Sequence, residues 1–231
     1  MKAQKNKKTF FFGFFNKRER WGLSCKGWLI SSFVTISFFM FVLKNVYSFL
    51  APTKRVDTKT LVVEGWIGDE GLQLAAEEFK EYNYDHIYVT GGTIEIGGFL
   101  LTKHKSYAQL GVETLLKIGI PAKNITPVPA PKSTKDRTYH SALALKKYLE
   151  EKSLEIKSFN LFSYGPHCKR SQLLFQKAFE NKVEVGIIAS NPIEFDTLTW
   201  WSSSRGFRTV LSELIAYLYS LFFKYAKLGS L

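Results

Sequence analysis

Residues 161–171 read LFSYGPHCKRS: an apolar run closes on Gly165 and Pro166, and His167, Lys169 and Arg170 follow within four residues. Glycine lets the backbone turn sharply, and proline suits the first helical position because its missing N–H has no intrahelical partner there. The pattern predicts a strand that ends at Gly165 and a helix that starts at once. His167 and Arg170 are three apart, so they share one face of its first turn, near free N–H groups and the positive end of the helix dipole. Such a place attracts phosphate, sulfate or carboxylate. Arg170 has the fork to clamp an anion, and His167 is the side chain that titrates nearest neutral pH. The plainer alternative is a solvated basic turn in which His167 caps the loop.

Other candidates stand behind other strand-like runs. In TLVVEGW, residues 60–66, Glu64 closes an apolar stretch. A half-buried carboxylate there needs a partner, such as Arg137, Arg170 or a metal, and a structural salt bridge is the simplest form of that pairing. Glu64 and His167 are therefore the acid–base candidates. Gly91 and Gly92 end HIYVTGG and would let a ligand come close, although a double glycine is as often a plain turn. Neither a G-x-G-x-x-G nor a P-loop surrounds them. Arg137 and Thr138 open a helix-like stretch and join Arg170 as candidate anion-binding residues. His86, His104 and His140 lack ligand spacing with each other or with any carboxylate, and no zinc site is expected. TWWSSSRGFR, residues 199–208, is either a packed aromatic corner or a flap over the site that stacks on a sugar ring or lipid group.

The elements that must position these residues follow from periodicity. Residues 60–66, 86–92, 158–165 and 183–190 read as strands, and the three prolines of residues 124–134 leave room for a short strand and a loop. Residues 69–83, 106–119, 136–152, 166–180 and 208–226 carry apolar positions at helical spacing, with Asp136 as the expected N-cap of the third. A polar loop is expected from the double glycine to about Lys105. Strands alternating with helices predict a Rossmann-like α/β domain with a mostly parallel sheet and helices on both faces. Open parallel sheets bind ligands beyond the carboxyl ends of their strands, which would bring Glu64, Gly91, Gly92, Arg137, Thr138, His167 and Arg170 to one edge.

The 231 residues carry a net charge of +12, and eight cations against one carboxylate in residues 1–26 account for +7 of it. The remainder is only mildly basic, so the charge gives no support to a nucleic-acid partner. Residues 27–43 contain no charged side chain, and with a snorkelling Lys44 the uncharged stretch reaches residue 50, enough to span a bilayer. The division is a basic tail over 1–26, an anchor over 27–50 and one domain over 58–226. A cleaved signal or a buried helix are the alternatives; Phe49 before Ala51 makes a poor cleavage site. The cation excess on the N-terminal flank places that end in the cytoplasm and the domain on the other side. Cys25 and Cys168 then lie across the membrane from each other and cannot pair, and Cys168 has no second feature marking it as a nucleophile. Residues 214–223 are uncharged but too few to span; they pack in the core or lie against the membrane surface.

Taken in order, LVVEGW, VTGG, DRTYHSALALKKYL, GPHCKRSQLLFQKAF and RTVLSELIAYLY resemble the ElyC/SanA/YdcF family, bacterial envelope proteins with a Rossmann-like domain of unknown function. The resemblance covers residues 58–225. It implies membrane anchoring, a role in envelope or cell-wall polysaccharide biogenesis, and functional positions at Gly91, Gly92, Arg137, Thr138, His167, Arg170 and Glu213. The chain departs from the family in having EGW where many members have a glycine run, and Arg137-Thr138 where they have Asn-Thr. The expected function is binding or processing of an anionic envelope precursor, a phosphorylated or lipid-linked sugar, at an inner membrane. The alternatives are a non-catalytic scaffold or binding factor in envelope assembly, and a site for a nucleotide-like cofactor such as S-adenosylmethionine.

Overall fold

The computed structural model describes residues 9–10, 15–16, 23–94 and 105–223. The expected basic tail, the loop before Lys105, His104 and residues 224–226 fall largely or wholly outside them. The chain divides into two compact units, residues 1–42 and 43–231. In the first, Thr9–Phe10 pairs antiparallel with Phe15–Asn16. Helix α1, Cys25–Leu50, starts in this unit. It is long and apolar enough to cross a membrane, and residues 28–42 are almost all exposed. Its last turns fall in the second unit, where Val46, Tyr47 and Leu50 are buried.

The second unit is an α/β domain. Its strands are β1 (Thr60–Glu64), β2 (His86–Gly91), β3 (Ile125–Pro129), β4 (Ser158–Tyr164) and β5 (Glu184–Ser190). Its helices are α2 (Gly68–Glu81), α3 (Tyr107–Lys117), α4 (Arg137–Glu151), α5 (Cys168–Ala178) and α6 (Ser204–Phe222). All five strands are parallel, in the order β3-β2-β1-β4-β5. The order reverses between β1 and β4, which is where a doubly wound sheet opens its ligand crevice.

Strand residues alternate between two apolar layers, as the two-residue period of a strand requires. Leu61, Val63, Ile87, Val89 and Phe162 face α2 and α3, where Leu72, Ala75, Phe79 and Leu115 complete one core. Val62, Tyr88, Phe159, Leu161 and Ile187 face α4 and α5, packing on Leu145, Leu149, Leu174 and Phe175. Both faces of the sheet are thus buried, which is why its strands are continuous apolar runs rather than alternating ones. A third cluster joins the end of α1 to α6: Val46, Tyr47 and Leu50 pack with Trp200 and Val210.

The segment after α1 is clamped along the sheet. Asn160 Nδ2 donates to the Val56 carbonyl at 3.0 Å and to Tyr84 Oη at 2.8 Å, while its Oδ1 accepts from Val56 N–H at 2.8 Å. Arg55 donates Nε and Nη2 to the two oxygens of Glu78, at 2.7 and 2.8 Å. Burial, outweighing the hydrogen bond from Asn160, pushes the Tyr84 hydroxyl up to about 12. The phenol therefore stays a neutral donor.

Most predicted elements match within two or three residues. Helix α6 instead begins at Ser204, capped by Ser203 Oγ accepting from Gly206 N–H at 3.0 Å. Asp136 is not the side-chain cap expected of it. It sits in the left-handed region at φ 52°, outside the extended conformation that side-chain N-caps typically adopt, and its carboxylate makes no capping bond.

Candidate functional site

Glu64 closes β1 two residues after Val62, so the pleat turns it toward α4 and α5. Its side chain is 2% exposed. The sequence reading offered Arg137, Arg170 or a metal as its partner. The direct partners are instead two hydroxyls: Ser163 Oγ on β4 and Ser171 Oγ on α5, the latter at 2.9 Å, both donate to Oε2. Ser163 follows Leu161 on the same strand face, and Ser171 lies four residues after His167, one helical turn on. Two short side chains suffice because neighbouring strands and the first turn of α5 already crowd the carboxylate. Oε1 faces His167 Nε2 at 3.9 Å.

Gly165 takes φ +42°, so the turn after β4 does use glycine's freedom. Gly165, Pro166 and His167 form one 3-10 turn that leads into α5. His167 is 8% exposed, which excludes a solvated basic turn. Its Nδ1 lies 2.9 Å from Glu213 Oε1 on α6 and 2.9 Å from Arg170 Nη2. Arg170 also donates Nε to Glu213 Oε2 at 2.9 Å and Nη2 to Oε1 at 3.1 Å. One assignment satisfies all three groups. Arg170 gives Nε–H and an Nη2–H to Glu213, Nδ1–H donates to Glu213, and Nε2 keeps its lone pair. That lone pair faces Thr138 Oγ1 on α4, at 3.3 Å. Trp66 meets the imidazole edge-on, ring centres 4.8 Å apart.

Burial pushes the Glu213 carboxyl up, but the hydrogen bonds from His167 and Arg170 and the guanidinium charge of Arg170 outweigh it and hold the group down at about 2. Glu213 is therefore a fixed anion that orients the ring, while Nε2 is turned toward a hydroxyl. An acid, an imidazole and a hydroxyl in this order form a general-base relay. A proton taken up at Nε2 has Glu64 Oε1 as its nearest second carboxylate. The fork of Arg170, expected on a ligand, is occupied by Glu213.

Arg137 is exposed at the first position of α4, one residue before Thr138. Gly91 does not open room for a ligand. A Cβ there would meet Tyr107 Cβ at 2.8 Å and Ala108 N at 2.9 Å, so this glycine lets the start of α3 press on the sheet. Gly92 has open space where a Cβ would stand. Of the seven predicted positions, Glu64, Thr138, His167 and Arg170 are joined by contacts. Trp66 also lines a cleft of about 290 Å3 with Gly68, Glu70, Tyr164, Asn191, Glu194 and Arg205. Tyr164 donates to Glu194 Oε2, and Arg205 reaches Glu194 Oε1 at 3.0 Å.

Ser163, Ser171 and the pairing role of Glu213 were not read from residue patterns. Glu213 had a signal, being the single carboxylate of the apolar last helix, and Ser163 is a hydroxyl inside a fully buried strand. Trp200 is a packed corner and not a flap; it is buried and donates its indole N–H to the Leu43 carbonyl at 3.0 Å. Cys168 is fully buried, and burial raises its thiol well above the ordinary range, which removes it as a nucleophile. Among the described residues no group of three or more His, Cys, Asp or Glu is placed to hold a metal. No protein-family model and no curated protein matches the chain.

Proposed function

We propose that this domain binds or processes an anionic envelope precursor, a phosphorylated or lipid-linked sugar, beside a membrane that α1 crosses with its N-terminus in the cytoplasm. The observation that carries the proposal is the relay Glu213–His167–Thr138 at the start of α4, with buried Glu64 behind it. The first turn of α4 has no side-chain cap, and Arg137 stands exposed on it. The positive end of a helix, a cation and a hydroxyl suit a phosphate oxygen. Trp66, half exposed beside His167, gives a sugar ring a face to rest on, and the adjoining cleft is the size of a small polar ligand. His167 would then move the proton at Nε2, with Glu213 fixing the ring and Glu64 as the second acid–base group. The resemblance to the ElyC/SanA/YdcF family and the cation excess before α1 support the setting.

The occupied fork of Arg170 favours a second, non-catalytic reading, a binding or scaffolding factor in envelope assembly in which the network only stiffens the domain. The two are separated with full-length protein in detergent, titrated with a polyprenyl-phosphate-linked sugar and with the same sugar lipid lacking phosphate. The first reading expects phosphate-dependent binding that Arg137→Ala weakens about tenfold, the loss of one charge-assisted contact. Turnover should vanish in His167→Ala while binding and folding persist. Equal binding of the phosphate-free lipid, or an unaltered Arg137→Ala, refutes the anion site. Binding without turnover leaves the scaffold.

A further inference from the structure

Helix α6 has two unlike faces. Gly206, Val210 and Ser220 are buried, and Glu213 turns inward to His167 and Arg170. On the opposite side Phe207, Leu211, Ile215, Leu218 and Phe222 recur at steps of four, four, three and four residues, all of them exposed except Leu211, which is partly covered by the end of α1. That spacing draws one straight apolar stripe along a helix. Ile215 is 67% exposed and Phe222 82%, and Phe207 and Leu218 are nearly half exposed. A contiguous apolar strip of this length is a contact surface rather than scattered surface residues.

What covers the stripe follows from where α6 is held. Residues 43–50, the last turns of α1, pack in one cluster with Val210, Leu211, Leu214 and Tyr217. Phe49 meets Tyr217 edge-on at 5.6 Å. At the other end Lys177 Nζ donates to the carbonyls of Ser220, Leu221 and Phe223, fixing the C-terminus of α6 on α5. The stripe therefore runs beside the end of the one described helix that is apolar enough to span a bilayer. Exposed Arg208 lies on the striped face and exposed Lys44 on the last turns of α1, cations that match the phosphate layer of a membrane.

We infer that the exposed stripe of α6 beds into the headgroup–acyl boundary of the membrane that α1 enters, holding the His167 site at the lipid surface. The inference rests on α1 being a membrane anchor, and it gives the substrate class of the site a physical basis. A single helix then carries lipid contacts on one face and Glu213 on the other, so a ligand with a lipid tail reaches His167 by diffusing in the plane. A second copy of the chain is the competing occupant of the stripe.

The test uses the full chain in vesicles of phosphatidylethanolamine and phosphatidylglycerol, with Cys25→Ser to remove the exposed thiol. Cys168, being fully buried, stays unlabelled. An environment-sensitive fluorophore is attached through Ile215→Cys and, separately, through Gln73→Cys on exposed α2. Lipids with a nitroxide near the headgroup should quench the Ile215 probe several-fold more than the Gln73 probe, with emission shifted to shorter wavelength. Ile215 touches little, so the label leaves the fold intact, as near-ultraviolet circular dichroism checks. If the chain resists an alkaline wash but its Ile215 probe is quenched no more than the Gln73 probe, the inference is overturned while the anchor stands. Release of the chain by the wash overturns both. Crosslinking through Ile215→Cys between copies, with no lipid quenching, assigns the stripe to a dimer and also overturns it.

Discussion

Glu213 is the residue on which the relay is most exposed to test, because its loss leaves both His167 and Arg170 without their anion. Its carboxyl is held near 2 against an ordinary 4.5. A difference of that size corresponds to about 3 kcal/mol of stability at pH 7, since each pKa unit is worth about 1.4 kcal/mol. The sign follows from the folded value being the lower one. The contribution is complete above the unfolded value of 4.5 and is lost as pH falls through the folded value near 2. At pH 3 it has shrunk to about 1 kcal/mol by the same linkage. Glu213→Gln keeps the shape and one acceptor but removes the charge, so it should cost about 2–3 kcal/mol at pH 7 and much less at pH 3. Urea unfolding of the full chain in detergent, followed by near-ultraviolet circular dichroism at both pH values, measures the difference. A cost below about 0.5 kcal/mol at pH 7, the range of an ordinary surface change, would refute the relay as the structure draws it. So would a cost of equal size at both pH values.

Two further outcomes follow from packing. A Cβ on Gly65 would press into the carbonyl of Tyr107, so Gly65→Ala should cost about 1–3 kcal/mol and lower the melting temperature by several degrees, whereas Gly92→Ala should melt like the parent chain. Asn160→Leu removes both bonds to Val56 and the bond to Tyr84, leaving buried groups unpaired; a loss of about 2–4 kcal/mol and rapid proteolysis over residues 53–58 are expected, and an uncleaved variant would contradict the clamp.

The α/β alternation was legible because each core face imposes its own period on the chain. Leu72, Ala75, Ala76 and Phe79 announce α2, and the run 158–164 announces a strand buried on both faces. Glu64 and His167 were legible for a related reason: each stands where an apolar run stops, and a sheet edge is where runs stop. What stayed hidden depends on contacts between distant segments. The partner of Glu64 is 107 residues away at Ser171, and that of Arg170 is 43 residues away at Glu213. Charge alone pairs Glu64 with an arginine; the direction of the strand pleat and the course of α6 pair it with serines and give the arginine to Glu213. The misassigned cap at Asp136 has the same origin, since residue type favours capping while a left-handed backbone forbids it.

Charge balance within the site decides how an anion would be held there. Arg170 and Glu213 neutralise each other through two hydrogen bonds, and Glu64 adds a buried carboxylate behind His167. An anion brought against that cluster would meet two carboxylates before it met a free donor. On the proposed reading the attraction would therefore come from the start of α4, where Asp136 makes no capping bond and Arg137 is exposed. Thr138 is the residue that belongs to both regions, one position after Arg137 and 3.3 Å from His167 Nε2. A phosphate oxygen held at the helix end by Arg137 would place its neighbouring ester or sugar oxygen within reach of the imidazole. On that proposed reading affinity and proton transfer would fall to different residues, and substitutions at Arg137 and at His167 should act on binding and on turnover separately.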